Sequence, residues 1–99
     1  MSNGLKNLTQ TKITVGASST LILAANPDRT YLRIANLSDE IISIKNTDAA
    51  VANEGWTIQP ISTNNGSDVL ELKYPNIPAG QINGICASGS KVVSVVEGY

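Results

Sequence analysis

The chain has 99 residues and a net charge of -1, from seven Lys plus Arg against eight Asp plus Glu, with no His and a single Cys, Cys86. That length supplies one core of ordinary size, and the even charge balance lacks the basic excess of a nucleic-acid binder. Without His the commonest general base and metal ligand are missing, and one Cys forbids an internal disulfide or a CxxC zinc site.

Residues 1–11 are polar and aperiodic and read as an N-terminal arm, with a single β domain expected over residues 12–99. The longest wholly apolar run, Leu21 to Ala25, is far too short for a signal peptide or a bilayer span. The sequence therefore predicts a protein made in a cytoplasm, with no membrane partner. Ile, Val and Thr make up about a quarter of the chain and Phe is absent, an enrichment that favours strands. A first strand is expected over 12–16, with Ile13 and Val15 on one face, and a second over 20–24, with Leu21 and Leu23 sharing a side. Asn26-Pro27-Asp28 is a turn, because Pro fixes φ and Asp bonds its own backbone. Residues 30–36 alternate most clearly, Leu32 and Ile34 pointing one way and Tyr31, Arg33 and Ala35 the other.

Residues 36–40 read as a hairpin loop leading into a strand over 41–45, where Ile42 and Ile44 alternate with Ile41 and Ser43. Residues 46–54 read either as a loop or as one helical turn. The segment 55–60 puts Trp56 and Ile58 on one face and ends at Pro60. Asn65-Gly66 marks a turn within 62–67, and Leu70 and Leu72 alternate in a strand over 69–73. Pro75 and Pro78 stiffen a loop over 74–80, and strands over 81–87 and 91–97 form a last pair around Ser88-Gly89-Ser90. About eight short strands broken every ~8–12 residues predict an all-β fold: a single small antiparallel β-sandwich or barrel, jelly-roll-like. Its expected core is Leu21, Leu23, Leu32, Ile34, Ile42, Ile44, Leu70, Leu72, Ile85, Val93 and Val95.

The chemistry-bearing residues are sparse. Most of the acidic residues fall in predicted turns and none forms a calcium-loop pattern. Gly80 and Gly84 bracket a segment with no following Lys or helix, so it is no phosphate loop. Cys86 sits among small and apolar neighbours, with no His to activate it, and reads as a buried small hydrophobe. No catalytic, cofactor-binding or metal-binding residue is expected, and the sequence does not read as an enzyme. Trp56, Tyr31 and Tyr74 lie on three separate elements and read as core plugs or interface anchors, joined by Ile41, whose neighbour Ile42 takes the core side. Val92 and Val96 add a second apolar row beside Val93 and Val95, which predicts a cover: a homo-oligomer or neighbouring subunits.

The run Leu21-Ile22-Leu23-Ala24-Ala25-Asn26-Pro27-Asp28-Arg29-Thr30-Tyr31-Leu32-Arg33-Ile34-Ala35-Asn36 resembles a segment of small structural proteins of tailed-bacteriophage virions. In those, an apolar strand enters Ala-Asn-Pro-x-Arg and then a strand closing on Asn. Ile41-Ile42-Ser43-Ile44, Ile82-Asn83-Gly84-Ile85-Cys86-Ala87 and the final Val-rich strand fit the same family, while residues 47–65 depart from it. The motif residues Asn26, Pro27, Arg29 and Asn36 have fold-building roles: a turn, a clamp on a loop carbonyl or carboxylate, and a strand closure. The resemblance implies a non-enzymatic virion component, an auxiliary capsid (decoration) protein or a head–tail connector or tail component. It further implies virion localisation after synthesis in the host bacterial cytoplasm, other virion proteins as partners, and a homo-oligomer, a trimer by analogy with icosahedral threefold axes. The alternative from another class is a carbohydrate- or receptor-binding β-sandwich module using Trp56, Tyr31 and Tyr74.

Overall fold

A computed structural model describes residues 7–60 and 68–99. Eight strands follow in order: β1 (Leu8–Val15), β2 (Thr20–Leu23), β3 (Tyr31–Asn36), β4 (Ile42–Asn46), β5 (Trp56–Ile58), β6 (Asp68–Lys73), β7 (Ile82–Ile85) and β8 (Lys91–Gly98). No helix occurs among the described residues; Asn46 ends β4, and 47–54 is a loop rather than a helical turn.

The strands form two antiparallel four-stranded sheets, ordered β1-β8-β3-β6 and β2-β7-β4-β5. Within them β1 pairs β8, β2 pairs β7, β3 pairs β6 and β4 pairs β5. These four nested pairs are one long folded ribbon, wrapped so that β8 also pairs β3 and β7 also pairs β4. That wrapping is the jelly roll. Only β4 and β5 are a sequential hairpin; every other connection crosses between the sheets. The hairpin expected at 36–40 and the last pair expected around residues 88–90 are therefore corrected. Turn chemistry reverses the chain's direction at both places without choosing which sheet receives the next strand.

The facing sides of the sheets bury Val15, Ile22, Leu32, Ile34, Ile42, Ile44, Ile58, Ile82, Cys86, Val93 and Val95, with Leu23, Leu70 and Leu72 half-buried against them. Two core positions differ from the periodicity reading. Leu21 is 52% exposed and Ile22 only 4%, because the β2·β7 register shifts between Leu21 and Leu23 and turns Ile22 inward. Gly84 makes the room: a Cβ there would lie 2.6 Å from Ile22 Cδ1 and 3.3 Å from Ile44 Cδ1. In β7 it is likewise Ile82 that is fully buried, while Ile85 is half-buried.

The first strand is longer than expected. Residues 8–11, assigned to the arm on sequence, belong to β1 and pair with Val95 to Gly98. They lack alternation because an edge strand with nearly every side chain exposed has no buried face to record. Residues 1–6 of the expected arm, and the turn at Asn65-Gly66, lie outside the described residues.

The second sheet's outer face carries a cover that periodicity did not foretell. Ser43 and Asn83 point outward yet are buried, because the β4–β5 loop folds over them. Asn53 N–H donates to Ser43 Oγ (2.9 Å), Asn83 Nδ2 donates to the Asp48 carbonyl (2.8 Å), and Ala50 N–H donates to Ser19 Oγ (2.8 Å). The first sheet's outer face has Val92 and Val96 only half-buried. Among the described residues no buried side-chain nitrogen or oxygen lacks a hydrogen-bond partner.

Candidate functional site

The four motif residues build two polar clasps, one at each end of the sandwich. At the first, Asn26 Oδ1 accepts from Asp28 N–H (3.0 Å) and the Asn26 carbonyl accepts from Arg29 N–H (3.1 Å), a tight turn centred on Pro27. That turn sends the Arg29 side chain inward until it has no exposed surface. Its Nε donates to Glu97 Oε2 at 2.9 Å, Nη1 to the carbonyls of Pro78 (2.6 Å) and Gly80 (2.9 Å), and Nη2 to the Ala24 carbonyl (2.8 Å). Asn26 Nδ2 adds a longer contact to the same Glu97 oxygen, at 3.4 Å. One rigid planar fork thus joins the end of β2, the β6–β7 loop and β8, a task that Lys, with a point charge, cannot do.

At the opposite end Asn36 is fully buried. Its Nδ2 donates to the carbonyls of Glu40 (2.7 Å), Ile58 (3.0 Å) and Gln59 (3.0 Å), while Oδ1 accepts from Ser38 N–H (2.9 Å) and Ser38 Oγ (2.7 Å). The amide therefore fixes the crossing from β3 to β4 and ties it to the end of β5. Next to it, the Glu40 carboxylate accepts from the backbone N–H and hydroxyl of Ser88, and Lys91 pairs with Asp39 at 2.9 Å. The Ser88 bonds hold the Glu40 carboxyl below its ordinary range, and the Lys91 ammonium does the same for Asp39.

The candidate interface residues do not form one patch. Tyr31 and Tyr74 are neighbours at one end of the first sheet: Tyr31 lies opposite Lys73, and Tyr74 N–H donates to the Thr30 carbonyl (2.9 Å). Tyr31 Oη donates to Glu71 Oε2 at 2.6 Å, and that hydrogen bond raises the phenol's pKa. Tyr74 is 72% exposed. Trp56 begins β5 in the other sheet, opposite Ile44, and Ile41 lies at the far end, before β4.

Ile41 borders a shallow depression of about 340 Å³ together with Ser43, Asn53, Ile85 and Ala87. Polar side chains lining it are already engaged: Ser43 Oγ accepts from Asn53 N–H, the Glu40 carboxylate accepts from Ser88, and Asp39 pairs with Lys91. Cys86 lies against it but is buried, its thiol directed at the Val15 carbonyl (3.3 Å). Among the described residues no three or more His, Cys, Asp or Glu gather as a metal site would need. Among the described residues the arrangement offers surfaces and clasps.

Glu97 is the partner that sequence reasoning missed. The signal was present: Val93, Val95 and Glu97 share one phase, and a carboxylate in line with two core valines calls for a buried cation. Comparison with protein-family models, curated proteins and solved structures returned no match.

Proposed function

We propose that this protein is a non-enzymatic structural component of a bacteriophage virion, an auxiliary capsid (decoration) protein or a head–tail or tail component that binds neighbouring virion subunits. The observation that carries the reading is the nested jelly-roll wrapping, an architecture used by viral capsid domains. The two clasps add to it, since Asn26, Arg29 and Asn36 spend their side-chain polar groups on holding both ends of the sandwich rather than on a substrate. The same segment carries the sequence resemblance to virion proteins.

Jelly rolls also serve as lectin domains, so the carbohydrate-binding reading is the natural rival. Geometry disfavours it. Trp56 sits in the sheet opposite the two tyrosines, and the Tyr31 hydroxyl is already engaged by Glu71. The deciding experiment is quantitative mass spectrometry of particles purified from the phage that carries the gene, beside a glycan array probed with the isolated chain. Presence at a fixed ratio to the shell protein supports the proposal. Absence from particles, or micromolar glycan binding that is lost on Trp56→Ala, overturns it.

A further inference from the structure

Of the four sheet edges, three are blunted. β2 has four residues and a register shift, β5 has three residues, and β6 carries the charged Glu71 and Lys73. β1 is different: eight residues, no Pro, no register shift against β8, and one charge, Lys12.

The hydrogen-bond phase of β1 follows from its first pair. Asn7 and Tyr99 exchange both backbone bonds, N–H to carbonyl at 2.6 and 2.9 Å. In an antiparallel ladder such pairs alternate with pairs that exchange none. Thr9, Thr11, Ile13 and Val15 therefore face β8, while the N–H and C=O groups of Leu8, Gln10, Lys12 and Thr14 point away from the sheet. Among the described residues no strand lies on that side.

We infer that this edge pairs with the β1 edge of a second copy of the chain, antiparallel about a two-fold axis at Thr11. The register is dictated by the outward groups. Only residues of even number can form the closely bonded pairs, and one alignment uses all of them: Leu8 opposite Thr14 and Gln10 opposite Lys12 in each direction. Shifting by two residues one way sets Lys12 against Lys12, a like-charge pair, and either shift leaves an outward residue unmatched. In the chosen register Thr11 meets Thr11, a favourable cross-strand pair, and the two first sheets become one continuous eight-stranded sheet. The interface is isologous and closes on itself, so it yields a dimer and not a filament. This inference is independent of the virion reading, since it rests on backbone phase alone.

The test uses the full chain and three variants. Sedimentation across the micromolar range is expected to give a dimer mass. Gln10→Pro removes one outward N–H without touching the β8 ladder, a position where edge strands tolerate Pro. It is expected to be monomeric with an unchanged circular-dichroism spectrum and a thermal midpoint that no longer varies with protein concentration. Thr11→Cys is expected to cross-link to itself on mild oxidation, because the two Cα atoms would be ~4.5 Å apart, within disulfide reach. Thr9→Cys is expected not to, its two copies being displaced by four residues, about 13 Å. A wild-type chain that is monomeric or trimeric throughout overturns the inference, as does a Thr11→Cys variant that cross-links no faster than Thr9→Cys.

Discussion

Arg29→Met keeps most of the side chain's length and removes every donor. It strands three backbone carbonyls and the Glu97 carboxylate, whose side chain is only 12% exposed, in a site the guanidinium had filled. Breaking a buried pair by deleting one partner costs about 3–5 kcal/mol, most of it the penalty on the charge left behind. Against a typical domain stability of about 5–15 kcal/mol this is a large fraction, and it corresponds to a melting point lower by roughly 15–30 °C. Urea denaturation of the two proteins measures the difference directly. Adding Glu97→Gln should recover about 1–2 kcal/mol, because the stranded charge disappears while the orphaned carbonyls remain. The control is Lys45→Met, which breaks the exposed Lys45–Glu54 pair and should cost under about 0.5 kcal/mol. A loss of less than about 1 kcal/mol for Arg29→Met would refute the view that the clasp holds the end of β2, the β6–β7 loop and β8 together.

Other expectations are as definite. Asn36→Asp keeps the acceptor for Ser38 but sets a carboxylate against three carbonyl oxygens, so it should destabilise at least as much as Asn36→Ala, about 3 kcal/mol, by thermal melting; a milder effect contradicts the assigned amide orientation. Gly55→Ala should cost about 2 kcal/mol or more, since φ is +77° and the new Cβ would fall 2.2 Å from the Ile44 carbonyl oxygen; a neutral outcome in urea titration would show that the β4–β5 loop relaxes freely. Asp39 and Glu40 have folded pKa values below their unfolded ones, so their contribution is present above pH ~4–5 and is lost as pH falls through the depressed values. Melting points taken between neutral and acid pH should therefore fall less steeply in Asp39→Asn/Glu40→Gln, and identical acid limbs would count against the Lys91 and Ser88 contacts. Tyr31 has the opposite sign: its raised pKa gives stability that is fully present below the ordinary phenol range and is lost as pH rises from that range through the raised folded value, an alkaline loss that Tyr31→Phe should abolish.

The class of fold was legible because β-branched residues, period-two alternation and turn chemistry agree from residue 12 onward. Strand pairing was not, since Asn36 to Glu40 looks the same whether the next strand lies beside β3 or across the core. Leu21-Ile22-Leu23 is apolar on both phases, so periodicity alone could not choose Ile22 as the buried residue; the register shift and the missing Cβ of Gly84 made that choice. Arg29 and Asn36 were legible as fold-building groups from their turn context. The phase of Glu97 with Val93 and Val95 calls for a buried cation, but nothing in the sequence tied it to Arg29, which lies 68 residues away and meets it only through the wrapping. The buried state of Ser43 and Asn83 had no sequence signal at all, since a polar residue at an outward phase is the ordinary pattern of an exposed sheet face.

The nesting has a consequence for the order in which the chain can become a protein. β8 is the last strand in sequence but lies inside the first sheet, between β1 and β3. As the polypeptide grows, β1 emerges before β8 and remains without a ladder until β2 to β7 and then β8 have followed it. The β4–β5 hairpin alone can close locally, and each ribbon outside it requires a longer loop to be closed, at an entropic cost that grows slowly with length. Loop closure thus favours sheet formation from the middle of the chain toward both ends, and until β8 docks, β1 has no sheet to belong to.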